Sequence, residues 1–276
     1  MVNRVLGVLA AVVVGAAVAS GSAAATPAGP AAVDFTGTVK LSNCSGSVVK
    51  PAGASQNDPA LVLSNGHCLE TGFPEPGQVI VGQPSTRTFS LLSPNGQNTL
   101  GTLRATKVAY ATMTGTDISL YQVSTTYAQI QSQYGIKALD LSANHPTAGS
   151  SIKVVSGYWK TIYSCSVDGF VYELHEADWV WKDSIRYTEP GCEVIGGTSG
   201  SPVIDTGTGA VVGVNNTINE DGERCTENNP CEVDSNGNVK IVPNVGYAQE
   251  TYLINTCVDA GNTINLTKAG CALAKP

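Results

Sequence analysis

The amino-acid sequence predicts an all-β protein made of two strand-rich halves. Short apolar and β-branched runs recur at close spacing, and turn-forming clusters such as SPNGQN separate them, which is typical of closed or strongly curved antiparallel sheets. No long amphipathic helical pattern occurs before the C-terminal region. The strand pattern breaks once, near the middle of the chain, so we expect one connection between two β units of similar length.

Residues 1–25 have the pattern of a secretory signal peptide. A single positive charge, Arg4, precedes an uncharged apolar run at 5–19, and three alanines end the segment at residue 25. The run is too short for a membrane span, and the sequence has no second long apolar stretch. We therefore expect a secreted, extracellular protein without a membrane anchor, in which residues 26–33 form a flexible leader.

The strand runs place the two β units at residues 34–128 and 150–276, with a linker at 129–149. The first unit contains runs such as ALVLSNG and DISLYQV, and the second contains SIKVVSGYW and AVVGVNNT. Within the second unit, residues 219–238 are polar and turn-rich and contain two closely spaced cysteines, which predicts a surface loop closed on itself. The tail TYLINTCVDAGNTINLT predicts a short helix near the C-terminus.

Charge and cysteine content limit the partners and the compartment. The formal net charge of −7 argues against nucleic acid and against an anionic membrane as partners. All eight cysteines follow the signal peptide, and an even count in an oxidising compartment predicts four disulfides. No two cysteines have CxxC spacing, so we expect no metal site. Sequence neighbours suggest the pairs Cys44–Cys68, Cys165–Cys192, Cys225–Cys231 and Cys257–Cys271.

Three histidines are candidates for acid–base chemistry. His175 lies between acidic neighbours and is expected to be a solvated strand residue, and His145 precedes a proline and is expected in a turn. His67 lies in LVLSNGHCLE, after an apolar strand and next to a cysteine that can hold it in place. This motif alone fits a catalytic base and a loop histidine beside a structural disulfide equally well.

Two further segments admit both a structural and a catalytic interpretation. Asp117 begins the strand DISL, as a turn or cap residue does, but a carboxylate there could also face an imidazole. The stretch EVIGGTSGSPVID around Ser199 is either a tight turn or a nucleophile with neighbouring N–H groups left free to bind an anion. Acyl transfer by a hydroxyl requires such a base, such a carboxylate and such donors.

The motifs GHC, DISL and GTSGSP follow one another in the order His, Asp, Ser. With these motifs the chain resembles the chymotrypsin- and trypsin-like serine proteases, especially their secreted bacterial branch, over roughly residues 35–252. The resemblance implies two six-stranded antiparallel Greek-key β-barrels with the active site between them and a short C-terminal helix.

The same resemblance implies a role for each matching residue. Ser199 would be the nucleophile, His67 the general base and then acid, and Asp117 the carboxylate that orients the imidazole. The backbone N–H groups of Gly197 and Ser199 would form the oxyanion hole. The disulfide Cys44–Cys68 would be the one that the family places beside its catalytic histidine.

Some residues depart from the family pattern or concern specificity. Thr198 replaces the aspartate that pairs with a newly freed N-terminus in trypsin-like members, so we expect that activation switch to be absent. Glu193 stands six residues before Ser199, where trypsin-like enzymes place the acidic base of the P1 pocket; it either reads a lysine or arginine at P1 or faces solvent. Asn216 and Ile218 fall in the segment that lines this pocket, and Ile218 would narrow its entrance.

These observations predict a secreted serine endopeptidase that acts through an acyl-enzyme and prefers basic P1 residues. The alternative is a non-catalytic protein-binding module on the same scaffold. Replacement of a triad residue would indicate this alternative, and none of the three is replaced. An α/β-hydrolase is disfavoured because its catalytic histidine follows the nucleophilic serine in the chain, and no histidine follows Ser199 here. We expect a monomer without cofactors, with protein or peptide substrates and a protein inhibitor as partners.

Overall fold

The computed structural model of the chain describes residues 1–2, 32–188 and 192–276. Residues 3–25 of the predicted signal peptide and 26–31 of the predicted leader lie outside the described residues. In the part of the chain that is described, no helix has the length and apolarity needed to cross a membrane.

The first half of the chain folds into a closed antiparallel β-barrel. The barrel strands and two accessory strands are β1 (Thr38–Lys40), β2 (Ser45–Lys50), β3 (Pro59–Ser64), β4 (Val79–Pro84), β5 (Thr88–Leu92), β6 (Thr99–Thr112), β7 (Ile118–Thr126) and β8 (Leu139–Asp140). Six strands pair in the order β1–β5–β6–β7–β3–β2, and pairing of β1 with β2 closes the barrel. Because β3 pairs with β7, which is four strands later in the chain, the connection is of the Greek-key type.

The second half repeats this arrangement. Its strands are β9 (Ser151–Ser156), β10 (Thr161–Glu176), β11 (Trp179–Tyr187), β12 (Pro202–Asp205), β13 (Val211–Ile218), β14 (Cys231–Val233), β15 (Val239–Ile241) and β16 (Gly246–Glu250). Six of them pair in the order β11–β16–β13–β12–β9–β10, and pairing of β10 with β11 closes the second barrel. The predicted double barrel is therefore confirmed, and β14 and β15 form a hairpin added to β10.

Two short helices accompany the barrels. The first, α1 (Tyr127–Tyr134), begins at a capping box of Thr126 and Gln129 and ends at Gly135, which adopts the left-handed conformation with φ 69°. It occupies part of the segment where the strand pattern of the sequence breaks. The second, α2 (Tyr252–Thr256), is the predicted C-terminal helix. A 3₁₀ turn (Ala260–Asn262) lies between the last two strands, β17 (Val258–Asp259) and β18 (Thr263–Ile264).

The two barrels pack against each other through apolar side chains. Each barrel has its own buried cluster, and a further cluster joins Val49 and Leu63 of the first barrel to Ile204 and Val214 of the second. Burial of apolar surface at this junction stabilises one relative arrangement of the barrels.

The four disulfides pair as sequence neighbours suggested. Cys44–Cys68 closes the segment that ends beside His67, and Cys165–Cys192 anchors the chain just before the glycine-rich turn of Ser199. Two disulfides therefore fix the backbone on either side of the junction between the barrels.

Candidate active site

His67 and Asp117 meet because their strands are neighbours in the first barrel. His67 follows β3 and Asp117 immediately precedes β7, and these strands pair with Ser64 opposite Ser119. The imidazole Nδ1 lies 2.6 Å from Asp117 Oδ2. Gly66 permits this approach, since a Cβ there would overlap with the carbonyl of Thr112 and lie 2.9 Å from Asp117 Oδ1.

The Asp117 carboxylate is fully buried, and described groups satisfy both of its oxygens. Oδ1 accepts the backbone N–H of Gly66 at 2.6 Å and that of His67 at 3.1 Å. Because a carboxylate can only accept, His67 Nδ1 must carry the proton of the 2.6 Å bond. In the neutral imidazole, Nε2 is then the free base.

Opposing effects act on the pKa of His67. Burial disfavours the imidazolium and lowers the pKa, but the charge and hydrogen bond of Asp117 raise it, and more distant Glu176 and Glu227 add to the increase. The net result is a pKa above the ordinary value of 6.5. The ring is therefore a stronger base than a free histidine, although its side chain is only 19% exposed.

Ser199 lies on the turn that precedes β12 and is held against the first barrel. Its carbonyl accepts the N–H of Ser45 at 2.8 Å, and the next residue, Gly200, has φ 78° and approaches Ser45 so closely that a Cβ would overlap with the Ser45 carbonyl. The Ser199 hydroxyl donates to the carbonyl of Asn216 at 3.2 Å. Among the described residues it has no hydrogen bond to His67, but both side chains line one cleft between the barrels.

Asn65 connects the three segments of this site. Its side chain is fully buried. Nδ2 donates to the Asp117 carbonyl at 2.8 Å, and Oδ1 accepts the Gly200 N–H at 2.5 Å; this N–H also donates to the Asn215 carbonyl at 2.9 Å. Asn65 lies two residues before His67, so one amide joins the histidine segment, the aspartate strand and the serine turn.

The peptide between Gly196 and Gly197 has a defined orientation. The Gly196 carbonyl accepts the indole N–H of Trp159 at 2.9 Å. Since the C=O and N–H of a trans peptide point in opposite directions, the Gly197 N–H points away from Trp159. Within the described part of the chain, neither this N–H nor that of Ser199 has an acceptor, and Gly197 adopts φ 85°. Two unpaired N–H donors, two residues apart on the turn that carries Ser199, are groups that can bind an anion.

Thr198, which stands where trypsin-like members have an aspartate, is buried in a local hydrogen-bond network. Its hydroxyl donates to the carbonyl of Ile195 at 2.6 Å and accepts from the side-chain amide of Asn215 at 3.0 Å. The Asn215 carbonyl oxygen accepts in turn from the hydroxyl of Tyr187 at 2.9 Å. The turn is therefore held by neutral side chains of its own barrel.

The residues expected to line the substrate pocket separate into two groups. Asn216 and Ile218 line the cleft that contains His67 and Ser199. Glu193 is not among the residues that line this cleft: it is exposed, the second of the two alternatives, and lines an adjoining depression that shares Ile218 and Glu220 with the cleft. The cause is the local alternation of the chain, because buried Cys192 and Val194 on either side turn Glu193 outward.

Sequence reasoning did not single out Asn65, Trp159, Asn215 or Glu176, which lines the same cleft. Asn65 could have been found from the sequence, because it belongs to the SNGHC motif around His67. The other three lie far from their contacts in the sequence, so no local pattern could have found them.

A cluster with metal-ligand chemistry lies apart from the cleft lining. His145 Nε2 lies 3.1 Å from Asp183 Oδ2 and 2.8 Å from Glu250 Oε1. Burial and the nearby Asp183 carboxylate raise the pKa of Glu250 to about 9. These are groups that could hold a cation. Cys44 and Cys68, which also lie near His67, are joined in a disulfide and offer no thiolate.

Comparison with known proteins identifies a family. A family model described as the trypsin-like peptidase domain matches residues 44–214. No curated protein matches the chain.

Solved structures similar to the chain have low sequence identity. The active form of the Rv3671c protease from M. tuberculosis is 16% identical, with 92% of this chain and 96% of that chain covered and a TM-score of 0.49. The MamO protease domain from Magnetospirillum magneticum is 13% identical, with 82% and 98% covered and a TM-score of 0.49. A Glu endopeptidase in complex with MPD is 15% identical, with 78% and 85% covered and a TM-score of 0.42.

The position of Asn65 predicts a measurable loss of stability in Asn65→Ala. The substitution leaves the buried carbonyl of Asp117 without its donor, so the free energy of unfolding should fall by about 1–3 kcal/mol. Urea titration monitored by tryptophan fluorescence measures this change. The exposed Asn57→Ala is the matched control and should change the free energy of unfolding by less than about 0.5 kcal/mol. Equal stability of the Asn65 variant and the parent would contradict the bridging role.

Proposed function

The chain belongs to the trypsin-like peptidase family, and from this premise we propose that it is a serine endopeptidase with Ser199 as nucleophile, His67 as general base and Asp117 as orienting carboxylate. The single observation that carries the proposal is the cleft itself. The second barrel contributes a serine to it, and the first contributes a histidine that is hydrogen-bonded to a buried aspartate.

The geometry supports one sequence of proton transfers. The Ser199 hydroxyl leaves the Asn216 carbonyl and turns toward His67 Nε2, which takes its proton as the oxygen attacks the substrate carbonyl. Asp117 stabilises the imidazolium that forms. The same proton then passes to the leaving amine, and an acyl group remains on Ser199 until water, deprotonated by His67, releases it.

The developing oxyanion is assigned to the N–H groups of Gly197 and Ser199. Each oxyanion-hole donor typically stabilises the transition state by about 3 kcal/mol. The hydrogen bond between Trp159 and the Gly196 carbonyl supports this assignment, because it keeps that carbonyl away from the Ser199 N–H. The two donors therefore need no rearrangement before the reaction.

The remaining parts of the proposal concern location, partners and specificity. Four disulfides are compatible with secretion to an oxidising compartment, and the substrates are proteins or peptides. Preference for a basic side chain at P1 stays part of the proposal. Residues other than Glu193 must recognise that side chain, because Glu193 does not line the cleft.

Labelling with a fluorophosphonate tests the reaction directly. The parent protein should gain one phosphonyl group on Ser199, because the activated hydroxyl attacks phosphorus as it would attack a carbonyl. Intact-mass and peptide mass spectrometry measure the adduct and locate it. Ser199→Ala should not be labelled, and Ser132→Ala, which removes an exposed hydroxyl on α1, should be labelled like the parent. A folded parent that stays unlabelled would indicate the non-catalytic binding module instead.

The pKa of His67 predicts the pH dependence of the reaction. The base must be neutral, and its pKa lies above the ordinary 6.5, so the labelling rate should be full in mild alkali and fall as the pH decreases. The half-maximal rate should occur above pH 6.5, with roughly a tenfold loss per pH unit below it. Tryptophan fluorescence over the same range reports whether the protein stays folded.

The histidine responsible is identified by a control variant. His175→Gln, which removes a histidine outside the cleft lining, should leave the midpoint unchanged. Full reactivity at pH 4 in the folded parent would contradict the role of His67.

A further inference from the structure

The polar loop at residues 219–238, which includes strand β14, forms one wall of the cleft with its part before that strand. The disulfide Cys225–Cys231 closes it, and two hydrogen bonds fasten it to the end of the β10–β11 hairpin: Ala177 N–H donates to the Cys225 carbonyl at 2.8 Å, and Asn228 N–H donates to Glu176 Oε1 at 2.9 Å. The loop presents Glu220, Glu227 and Asn228 to the cleft that contains His67 and Ser199.

The charged groups of this cleft have one sign. Its lining contains Glu176, Glu220 and Glu227 and neither lysine nor arginine. In the described part of the chain none of these carboxylates belongs to an ion pair. Glu176 and Glu227 both raise the pKa of His67, so they are close enough to act on the imidazole. Burial raises the pKa of Glu176 itself, and a cation bound beside it would favour its ionised form. An uncompensated negative cleft attracts a basic group and repels an acidic one.

Glu176 is the buried member of the set, with 7% of its surface exposed. Its Oε1 accepts from Asn228, whereas Oε2 has no hydrogen-bond partner among the described residues, and the Thr217 side chain lies close to the carboxyl. The amide of Asn216 is 3% exposed and likewise lacks partners. Unpaired buried polar atoms are costly. An ammonium or guanidinium group supplies the donors that Glu176 Oε2 and Asn216 Oδ1 lack.

An aromatic wall completes the lining. The ring of Phe73 lies 5.7 Å from the His67 ring and 5.7 Å from the Trp179 ring, both edge to face. The Trp179 indole N–H donates to the Pro74 carbonyl at 2.9 Å, which links this wall to the first barrel. Aromatic faces favour a guanidinium or the alkyl part of a lysine next to carboxylates.

We propose that the cleft selects peptides with an arginine or lysine close to the scissile bond, and that Glu176 and Glu227 recognise that side chain. The inference rests on the proposed function only for placing the scissile bond at Ser199. The loop at 219–238 is then the specificity loop, and its disulfide fixes the position of Glu227 relative to Glu176.

Binding to the non-reactive Ser199→Ala protein tests the proposal without requiring catalysis. Fluorescent peptides that differ only by arginine or citrulline, placed in turn at P1 to P4, are titrated and followed by anisotropy. At one position arginine should bind at least about fivefold more tightly than citrulline, because only arginine carries the charge. Raising the salt concentration should reduce this preference.

Charge variants in the same background assign the residues. Glu227→Gln and Glu176→Gln should each reduce the arginine preference by half or more; glutamine keeps the acceptor that Asn228 needs. Glu193→Gln, exposed and outside the cleft, is the matched control and should retain the full preference. Equal binding of arginine and citrulline peptides at all positions, or an unchanged preference in Glu227→Gln, would overturn the proposal. A parent that fails to react with fluorophosphonate but prefers arginine peptides would refute the peptidase function alone.

Discussion

The buried amide of Asn65 is the contact on which the geometry of the site depends. Each barrel closes on its own hydrogen-bond ladder. The first barrel contains the hydrogen-bonded His67–Asp117 pair and the second contains Ser199. Asn65 bonds the Asp117 carbonyl on one side and the Gly200 N–H on the other. Hydrogen bonds are short-range and directional, so these two contacts limit both the separation and the rotation of the serine turn relative to His67. The backbone bond from Ser45 to Ser199 acts at the same place.

The turn that carries Ser199 also depends on hydrogen bonds between neutral groups of the second barrel. Thr198 bonds Ile195 and Asn215, and Trp159 bonds the Gly196 carbonyl. Together they hold the glycine-rich backbone without a buried ion pair, which avoids the desolvation cost of taking two charges out of water. The proposed anion site is thus assembled in the folded chain itself, in keeping with the absence of the aspartate that trypsin-like members use in activation.

The sequence predicted the features that local chemistry determines. The strand alternation and turn clusters identified two β units. The motifs around His67, Asp117 and Ser199 identified a histidine and a serine that line one cleft, and the buried aspartate that bonds this histidine. The disulfides could be paired because each joins cysteines that are consecutive in the sequence. Helix α1 was not predicted, because only Tyr127 and Ile130 of its eight residues are buried and the helical repeat of apolar residues is therefore too weak to recognise.

Contacts between distant segments could not be predicted in the same way. Asn65 reaches Gly200 across 135 residues, and Glu176 meets Asn228 across 52. Glu193 illustrates the converse limit: its spacing from Ser199 fits a pocket residue, but burial of its neighbours turns it away from the cleft. Only the folded arrangement of the 219–238 loop shows which carboxylates face His67.

The central claim is that the two barrels place one base, one hydroxyl and two N–H donors around a single point. A crystal structure of the phosphonylated protein tests it most directly. The account predicts phosphorus bonded to Ser199 Oγ and the phosphonyl oxygen at about 2.7–3.1 Å from both the Gly197 and the Ser199 nitrogen. Phosphorus on another residue, or a phosphonyl oxygen that contacts neither N–H group, would contradict it.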